Sequence, residues 1–337
     1  RYDRAPGQFD LAAIAPSAPA KEDSTVRHGD FDTAFASAPV TVDATYTTPD
    51  ESHAMMECHS SIANWEGDKV TVWTSNQMIQ WNKQSLAAAL NIPAENVRVD
   101  SPFLGGGFGS KLFLRSDAVL AALAARQVGR PVKLMLPRPF VFNNTTHRPA
   151  TIQHIKLGAQ NDGRLTAISH VSVNGNLPNG DIETATAQTE LLYAGENRFT
   201  QVRLGVLNLP EGNAMRAPGE APGLMALEIA MDELAEKLDM NPVDLRIVND
   251  TQVDPVNTDR PYSQRQMIEC LKRGAAEFGW NEEKAYPRPG QRRDGEWLVG
   301  TGMAVGFRNH LLMKSAARVR LSPDGRVTVE TDMTDIG

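Results

Sequence analysis

The segment ENVRVDSPFLGGGFGSKLFLRSDAVLAALAARQV (residues 95–128) indicates the fold class, because it joins three local patterns in a fixed order. ENVRVDSP predicts a strand, and the apolar spacing of SDAVLAALAARQV predicts a helix. Between them, four glycines and one phenylalanine occupy residues 105–109. PVKLML (residues 131–136) predicts a further strand. This order of strand, glycine loop, helix and strand is typical of an α/β domain.

The glycine loop is expected at the carboxyl end of a strand, where open α/β sheets bind ligands. Glycine permits positive φ angles and lets another group approach the backbone closely. A bound anion or bulky cofactor is one interpretation, and a tight strand-to-helix connection is the other. The loop fits neither a P-loop nor a dinucleotide fingerprint, because Lys111 is followed by Leu112 and the last fingerprint position is Ser110.

The rest of the chain continues the alternation of strands and helices. Helices are predicted at residues 77–91, 224–238, from Pro242, and at 263–279. Strands are predicted at residues 40–48, in a hairpin at 60–75 that turns at 66–68, in a pair at 150–175 that turns at 161–163, at 200–209, and in a final hairpin that turns at 323–325. Residues 1–30 carry little periodicity and predict an extended linker or the tail of a preceding domain.

Composition excludes several classes of function. The chain of 337 residues has a net charge of −7 and a pI near 5.6, and it has no basic stripe. Nucleic-acid and membrane-surface binding require clustered positive charge, so neither partner is expected. The longest strictly apolar run, residues 118–125, is too short to span a bilayer.

The two cysteines, Cys58 and Cys270, lie more than two hundred residues apart and form no local ligand set for zinc or an iron–sulfur cluster. Any redox centre is therefore expected to come with a cofactor or another chain. Two buried and inert thiols remain the simplest interpretation of this pair.

A second small-residue loop, NAMRAPGEAPG (residues 213–223), also lies between a predicted strand and a predicted helix. Its conspicuous side chain is Arg216, and an arginine near a helix start is well placed to meet an anion or an oxo group. The alternative is an ordinary surface ion pair between Arg216 and Glu220 or Glu228.

Together, GGGFGSK (105–111), MRAPGEAPG (215–223) and SHAMMECHSSIANWEGDKVTVWTSNQ (52–77) resemble the molybdenum-binding large subunit of the xanthine dehydrogenase and aldehyde oxidase family, in particular its bacterial periplasmic aldehyde oxidoreductases. The resemblance implies an α/β (α+β) fold of mixed sheets with packed helices. It implies the tail of a hammerhead domain and a linker at residues 1–28, with residues 1–10 as its last strand. A first molybdopterin-binding domain is implied at 29–295, and the start of a second at 296–337, beginning around TDMTDIG.

The same resemblance implies the roles of individual residues. Gly106, Gly107 and Gly109 are expected to let backbone amides approach the molybdenum cofactor, with Phe108 beside the metal's ligands. Gln77 matches a glutamine that hydrogen-bonds the molybdenum oxo group, with Gln80 as the alternative register. Arg216 matches an arginine against the metal centre. Gln77, Phe108 and Arg216 are thus expected near molybdenum.

Three departures from the family pattern affect the substrate and the catalytic base. Leu112 stands where xanthine dehydrogenases carry a purine-binding glutamate, which favours an apolar substrate such as an aldehyde. Cys58 interrupts a Glu-Pro-His pattern, and His53 and His59 are interpreted as structural. No catalytic residue is assigned, because the family's general-base glutamate is expected beyond Gly337; Glu220 is a weak substitute that better fits a helix N-terminus.

The resemblance therefore implies a subunit that oxidises aldehydes, aromatic ones in particular, to carboxylic acids with oxygen from water. Its cofactor is expected to be molybdopterin cytosine dinucleotide with molybdenum. Separate iron–sulfur and FAD subunits, which carry 2Fe–2S clusters and FAD, would complete a heterotrimer. A periplasmic location through a partner's signal is expected, with the cytoplasm as the alternative. An N-heterocycle hydroxylase, such as an isoquinoline oxidoreductase, and a non-catalytic cofactor-binding fragment remain alternatives; residues 1–337 alone are expected to be inactive.

Overall fold

The computed structural model describes residues 5–280, 292–308, 314–331 and 334. Its helices are α1 (Leu11–Ile14), α2 (Phe31–Ser37), α3 (Ile79–Leu90), α4 (Ser116–Val128), α5 (Arg138–Asn143), α6 (Glu220–Leu238), α7 (Pro242–Val248) and α8 (Met267–Phe278). Its strands are β1 (Ala20–His28), β2 (Val40–Thr48), β3 (Ser60–Glu66), β4 (Lys69–Thr74), β5 (Val97–Asp100), β6 (Val132–Met135), β7 (Thr151–Ala159), β8 (Leu165–Asn176), β9 (Asn197–Val206), β10 (Arg292–Asp294), β11 (Trp297–Val299), β12 (Ala317–Leu321) and β13 (Val327–Thr331).

The chain divides into two compact units. The first comprises the described residues of Arg1–Asp50, Pro149–Asn208 and Ala217–Asn309, and the second those of Glu51–Arg148, Leu209–Arg216 and His310–Gly337. Among the described residues, no helix is both long enough and apolar enough to cross a membrane.

The first unit is built on a five-stranded sheet with the order β1-β9-β8-β7-β2, in which only β8 and β9 pair in parallel. One face packs against α6 through a core that includes Val42, Ile155, Leu157 and Met231. Helix α2 contacts β7, β8 and β9. Because Lys156 lies over the Phe35 ring and alternates with Ile155 and Leu157 along β7, α2 covers the opposite face.

The second unit contains a four-stranded sheet with the order β5-β4-β3-β6. Strands β4 and β5 pair in parallel, and β3 is antiparallel to both β4 and β6. Helices α3 and α4 pack on this sheet through small and aliphatic side chains, among them Ala63, Val72, Leu86 and Ala121. The mixed sheets with packed helices confirm the predicted fold class.

Most of the predicted elements form, including the hairpins β3-β4 and β12-β13 and the strand β5 and helix α4 that flank the glycine loop. Two predictions are wrong. Residues 20–28 are the strand β1 rather than a linker, because pairing with β9 orders a segment that has no apolar alternation of its own. Helix α6 begins at Glu220 rather than Leu224, since a proline is tolerated in a first helical turn.

The domain boundaries inferred from the resemblance stay a prediction. Residues 5–10 form neither helix nor strand, and residues 1–4 of the expected hammerhead strand lie outside the described residues. Most of TDMTDIG, the expected start of a second molybdopterin-binding domain, also lies outside them.

Candidate functional site

Three segments of the second unit converge at one edge of its sheet. Parallel strands β4 and β5 end at the same edge, so Gln77, which follows β4, comes close to the glycine loop, which follows β5. Strand β3 runs in the opposite direction and therefore begins at this edge, where residues 51–59 lead into it. This convergence is the arrangement that open α/β sheets use for ligands.

Protein atoms occupy the space beside three of the four loop glycines. A Cβ atom at Gly105 would lie 2.5 Å from Cβ of Glu57, one at Gly107 would lie 2.3 Å from Oε1 of Gln77, and one at Gly109 would lie 2.1 Å from the carbonyl oxygen of Ala214. These contacts are too short for any side chain, so the neighbouring segments themselves require glycine at these positions. A ligand is not needed to explain them.

The remaining two loop residues have unusual backbone conformations. Gly106 has a φ of +85°, which glycine adopts without strain. Phe108 has a φ of +53°, and its side chain is 37% exposed. A left-handed conformation costs a non-glycine residue roughly 1–2 kcal/mol. Such strain concentrates at ligand-binding and active sites.

The loop also presents a row of hydrogen-bond donors. Among residues 5–280, 292–308, 314–331 and 334, no group accepts a hydrogen bond from the N–H of Gly106, Gly107 or Phe108. The flanking amides are different, because those of Gly105 and Gly109 donate to side-chain oxygens of the protein. Buried backbone donors are nearly always paired in native proteins. Gly107 is buried, so its unpaired N–H is a donor that a ligand acceptor would satisfy.

Gln77 is buried against this loop, whereas the alternative, Gln80, lies exposed on α3. Oε1 of Gln77 accepts hydrogen bonds from the N–H groups of Gly109 (3.0 Å) and Lys111 (3.3 Å). Two backbone donors therefore fix the orientation of the amide. The other polar group of the side chain is an NH₂, which can only donate.

Arg216 is held next to Phe108 by its backbone. Its N–H donates to the carbonyl oxygen of Phe108 at 2.9 Å, and its side chain is exposed. Within the described part of its own unit, no carboxylate forms an ion pair with its guanidinium. The carboxylates suggested as alternative partners, Glu220 and Glu228, pair instead with Arg308 and Arg246.

A buried arginine that the sequence did not single out supports this loop. The side chain of Arg148 is 3% exposed, and Nη2 donates to the carbonyl oxygens of Met215 (3.2 Å) and Arg216 (2.6 Å). Its Nε lies 3.2 Å from a carboxylate oxygen of Glu51. Arg148 lies far from both glycine-rich motifs in the sequence, so no local pattern marks it.

His53 and His59 are buried and contact the backbone of the same loops. Nε2 of His53 donates to the carbonyl oxygen of Ala214 (2.9 Å), and its Nδ1 lies 3.2 Å from that of Thr146. Burial lowers the pKa of His53 below its usual range and lowers the pKa of His59 to about 4. With a pKa of about 4, the ring of His59 is neutral near pH 7.

Residues 14–250 match the family model of the molybdopterin cofactor-binding domain. The chain belongs to the molybdopterin cofactor-binding family. This finding confirms the resemblance inferred from the two glycine-rich loops.

Within this family, the aldehyde oxidoreductase molybdenum-binding subunit PaoC of Escherichia coli O157:H7 is 64% identical over 338 residues, which cover 100% of this chain and 46% of PaoC. The chain thus spans about half the length of such relatives. Aldehyde oxidoreductase from Desulfovibrio gigas has the same fold, with a TM-score of 0.82 and 24% identity over 97% of this chain and 38% of that chain. Quinoline 2-oxidoreductase from Pseudomonas putida 86 has a TM-score of 0.80 and 21% identity over 100% of this chain and 47% of that chain.

The structure also shows the positions of three other residues that the resemblance to the molybdopterin cofactor-binding family singled out. Leu112 directly follows the loop lysine and is half-buried, and its carbonyl oxygen accepts a hydrogen bond from Asn82. Glu220 lies in the first turn of α6, where a carboxylate favours the helix dipole. Cys58 is half-buried and packs beside Met55, so it is a packing residue of this unit.

Proposed function

We propose that this chain forms part of the cofactor site of a larger molybdenum-dependent aldehyde oxidoreductase subunit. The observation that carries the proposal is the row of unpaired N–H donors at Gly106, Gly107 and Phe108, with the exposed Arg216 held beside it. The match to PaoC covers the whole of this chain, and PaoC is about twice as long. It supports both the aldehyde oxidoreductase activity and the larger subunit. Isolated residues 1–337 would then contain only part of the cofactor site.

The residues of the chain suit the molybdenum–molybdopterin cofactor that family membership indicates. When bound, this cofactor supplies the two-electron oxidation of the substrate. The N–H groups of Gly106, Gly107 and Phe108 would donate to an anionic or oxo ligand, as successive backbone amides do in other anion sites. Gln77 would donate through its NH₂, and Arg216 would add a permanent positive charge.

These donors are positioned before any ligand arrives. Gln77 is fixed by two backbone hydrogen bonds, and the loop that carries Arg216 is fixed by Arg148. Fixed donors that point to a developing negative charge are the main source of electrostatic catalysis, because they need no reorganisation during the reaction. The geometry therefore suits a reaction in which an oxygen of the substrate or cofactor gains negative charge.

Further parts of the proposal depend on the relatives. The cytosine dinucleotide form of the pterin, iron–sulfur and FAD subunits that complete a heterotrimer, and a periplasmic location are features that we propose for the complete enzyme. Aldehydes are favoured as substrates over N-heterocycles, because PaoC is 64% identical whereas quinoline 2-oxidoreductase is 21% identical. A non-catalytic role is not favoured, because the unpaired donors and Arg216 are all present.

The test is to purify the complete subunit with its partners and to measure metal content, released nucleotide and aldehyde oxidation on the same sample. We expect one molybdenum per subunit, release of a cytosine nucleotide on acid hydrolysis, and turnover of aromatic aldehydes. Active enzyme that contained no molybdenum would refute the proposal. Another released nucleotide would correct only the form of the pterin.

A further inference from the structure

One carboxylate oxygen of Glu57 contacts both ends of the glycine loop. Oε2 accepts hydrogen bonds from the N–H of Gly105 (2.8 Å), from Nζ of Lys111 (2.7 Å) and from Oγ of Ser75 (2.6 Å). The backbone N–H of Glu57 also donates to the carbonyl oxygen of Gly105 at 3.3 Å. The first residue of the loop and the lysine that ends it are therefore joined through a single atom.

Lys111 has no other carboxylate partner among the described residues. Its side chain is 0% exposed, and its Nζ bonds Glu57 and, at 3.1 Å, Oγ of Ser75. A buried ammonium is costly unless it is paired. The pairing is therefore expected to keep Lys111 in place, and its backbone carbonyl in turn accepts a hydrogen bond from the N–H of Gln77 (2.9 Å).

The side chain of Glu57 also explains why residue 105 is a glycine. Because a Cβ at Gly105 would lie 2.5 Å from Cβ of Glu57, the loop can approach this side chain closely only without a side chain of its own. Burial acts to raise the pKa of Glu57, but hydrogen bonds from Lys111, Ser75 and Gly105 outweigh it and lower the pKa. Glu57 is thus ionised near neutral pH, as the ion pair requires.

We propose that Glu57 is a positioning residue of the cofactor site: paired with the buried Lys111, it holds the glycine loop in the conformation that presents the N–H groups of Gly106, Gly107 and Phe108. Its relevance to catalysis rests on the proposed function. Its action on the loop does not, since the contacts lie entirely within this chain. Glu57 is not a catalytic residue, because it reaches the row of donors only through the loop.

The test compares Glu57→Gln, Lys111→Met and the double variant in the complete subunit. The readout is hydrogen–deuterium exchange of peptides covering residues 101–114, together with molybdenum content. Asp232→Asn is the matched control, because the side chain of Asp232 is 39% exposed and pairs with the fully buried Arg246, whereas that of Glu57 is 40% exposed and pairs with the fully buried Lys111. Asp232 lies in the other unit.

We expect Glu57→Gln to accelerate exchange in this segment about tenfold or more, because a hydrogen bond to a charged group corresponds to roughly 10- to 100-fold in an equilibrium constant. Molybdenum occupancy should fall with it. The Asp232→Asn control should leave both readouts within about twofold of wild type. The double variant should accelerate exchange less than the product of the two single effects, because it leaves no unpaired charge in the interior.

Exchange in Glu57→Gln that matched the control, or single effects that simply multiplied in the double variant, would overturn the inference. The molybdenum measurement on wild-type protein separates this failure from that of the proposed function. Absence of molybdenum in active wild-type enzyme would remove the proposed function, while the exchange data would still decide whether Glu57 positions the loop.

Discussion

At the residue scale, Arg216 has two possible roles that differ in their kinetic consequences. If its guanidinium faces the metal centre, Arg216→Lys retains the charge but loses the planar pair of donors. Loss of one fixed donor to a developing negative charge costs about 3–4 kcal/mol, or roughly 10²- to 10³-fold in kcat. We therefore expect kcat to fall by this factor in the complete enzyme with molybdenum retained.

The control for this experiment is Arg164→Lys, a change at an exposed arginine that pairs with Asp162 in the other unit. Molybdenum content must be measured with kcat, because a loss of rate together with metal would show only weaker cofactor binding. A kcat for Arg216→Lys within about twofold of wild type, or roughly 0.4 kcal/mol, would instead assign Arg216 a structural role.

Gly109 is a second residue whose importance can be measured. Gly109→Ala would place a Cβ 2.1 Å from the carbonyl oxygen of Ala214 at a φ of +108°. Overpacking and backbone strain together are expected to cost about 2–5 kcal/mol. Gly129→Ala is the matched control, because Gly129 also has a positive φ (+65°) but no atom within 4 Å of a built Cβ.

We expect Gly109→Ala to lower both the thermal midpoint and the molybdenum content of the complete subunit. Gly129→Ala should lower the midpoint by less and leave the molybdenum content unchanged, since it adds only strain of about 1–2 kcal/mol. Equal effects of the two variants would mean that the contact with Ala214 does not constrain the loop.

At the scale of elements, a series of hydrogen bonds between buried polar side chains joins the strands of the first unit to α6. Gln153 donates from Nε2 to the carbonyl oxygen of Pro222 (3.1 Å), which can only accept. This bond fixes the amide, so Oε1 of Gln153 accepts from Nε2–H of His170 (3.0 Å). Nδ1 of His170 must then accept from the hydroxyl of Thr189 (2.7 Å). The hydrogen bonds thus specify one neutral tautomer of a buried histidine.

Burial lowers the pKa of His170 to about 3. In the unfolded chain His170 binds a proton below about pH 6.5, whereas in the folded chain it stays neutral down to about pH 3. This group therefore destabilises the fold progressively as pH falls from about 6.5 toward 3. Above pH 6.5 the ring is neutral in both states, so this destabilisation is absent. We expect the free energy of unfolding of His170→Gln to depend less on pH in this window than that of wild type, by at most about 1.4 kcal/mol per pH unit. Free energies of unfolding that changed equally with pH in His170→Gln and in wild type would contradict the low pKa of His170.

At the scale of the whole molecule, the substrate class is the property to test. Leu112 follows the loop lysine and offers no polar group that could bind a purine. A site without the matching polar partner is expected to use a purine poorly. In the complete enzyme we expect kcat/KM for aromatic aldehydes to exceed that for xanthine by about a hundredfold or more.

A panel of aldehydes, N-heterocycles and xanthine on one enzyme preparation checks this prediction. Comparable kcat/KM for xanthine would show that Leu112 does not exclude purines, and preferential turnover of N-heterocycles would favour the alternative hydroxylase. The panel must use the complete subunit, because the chain spans about half the length of PaoC.

Local periodicity, turn residues and short motifs were enough to predict most of the strands and helices, the two glycine-rich loops and the family. Strand β5, the glycine loop and α4 follow one another in residues 97–128 as predicted. Strand β1 was missed, since its order comes from pairing with β9 and leaves no pattern of its own.

The surroundings of each residue of the candidate site are visible only in the tertiary structure. It showed that Glu57, Gln77 and Ala214, rather than a ligand, exclude side chains from three of the loop glycines. It also showed that Arg148 supports the loop of Arg216. These contacts join residues far apart in the chain, and long-range contacts of this kind leave no periodic signal, because they arise only when strands β3, β4 and β5 bring their ends to one edge of the sheet.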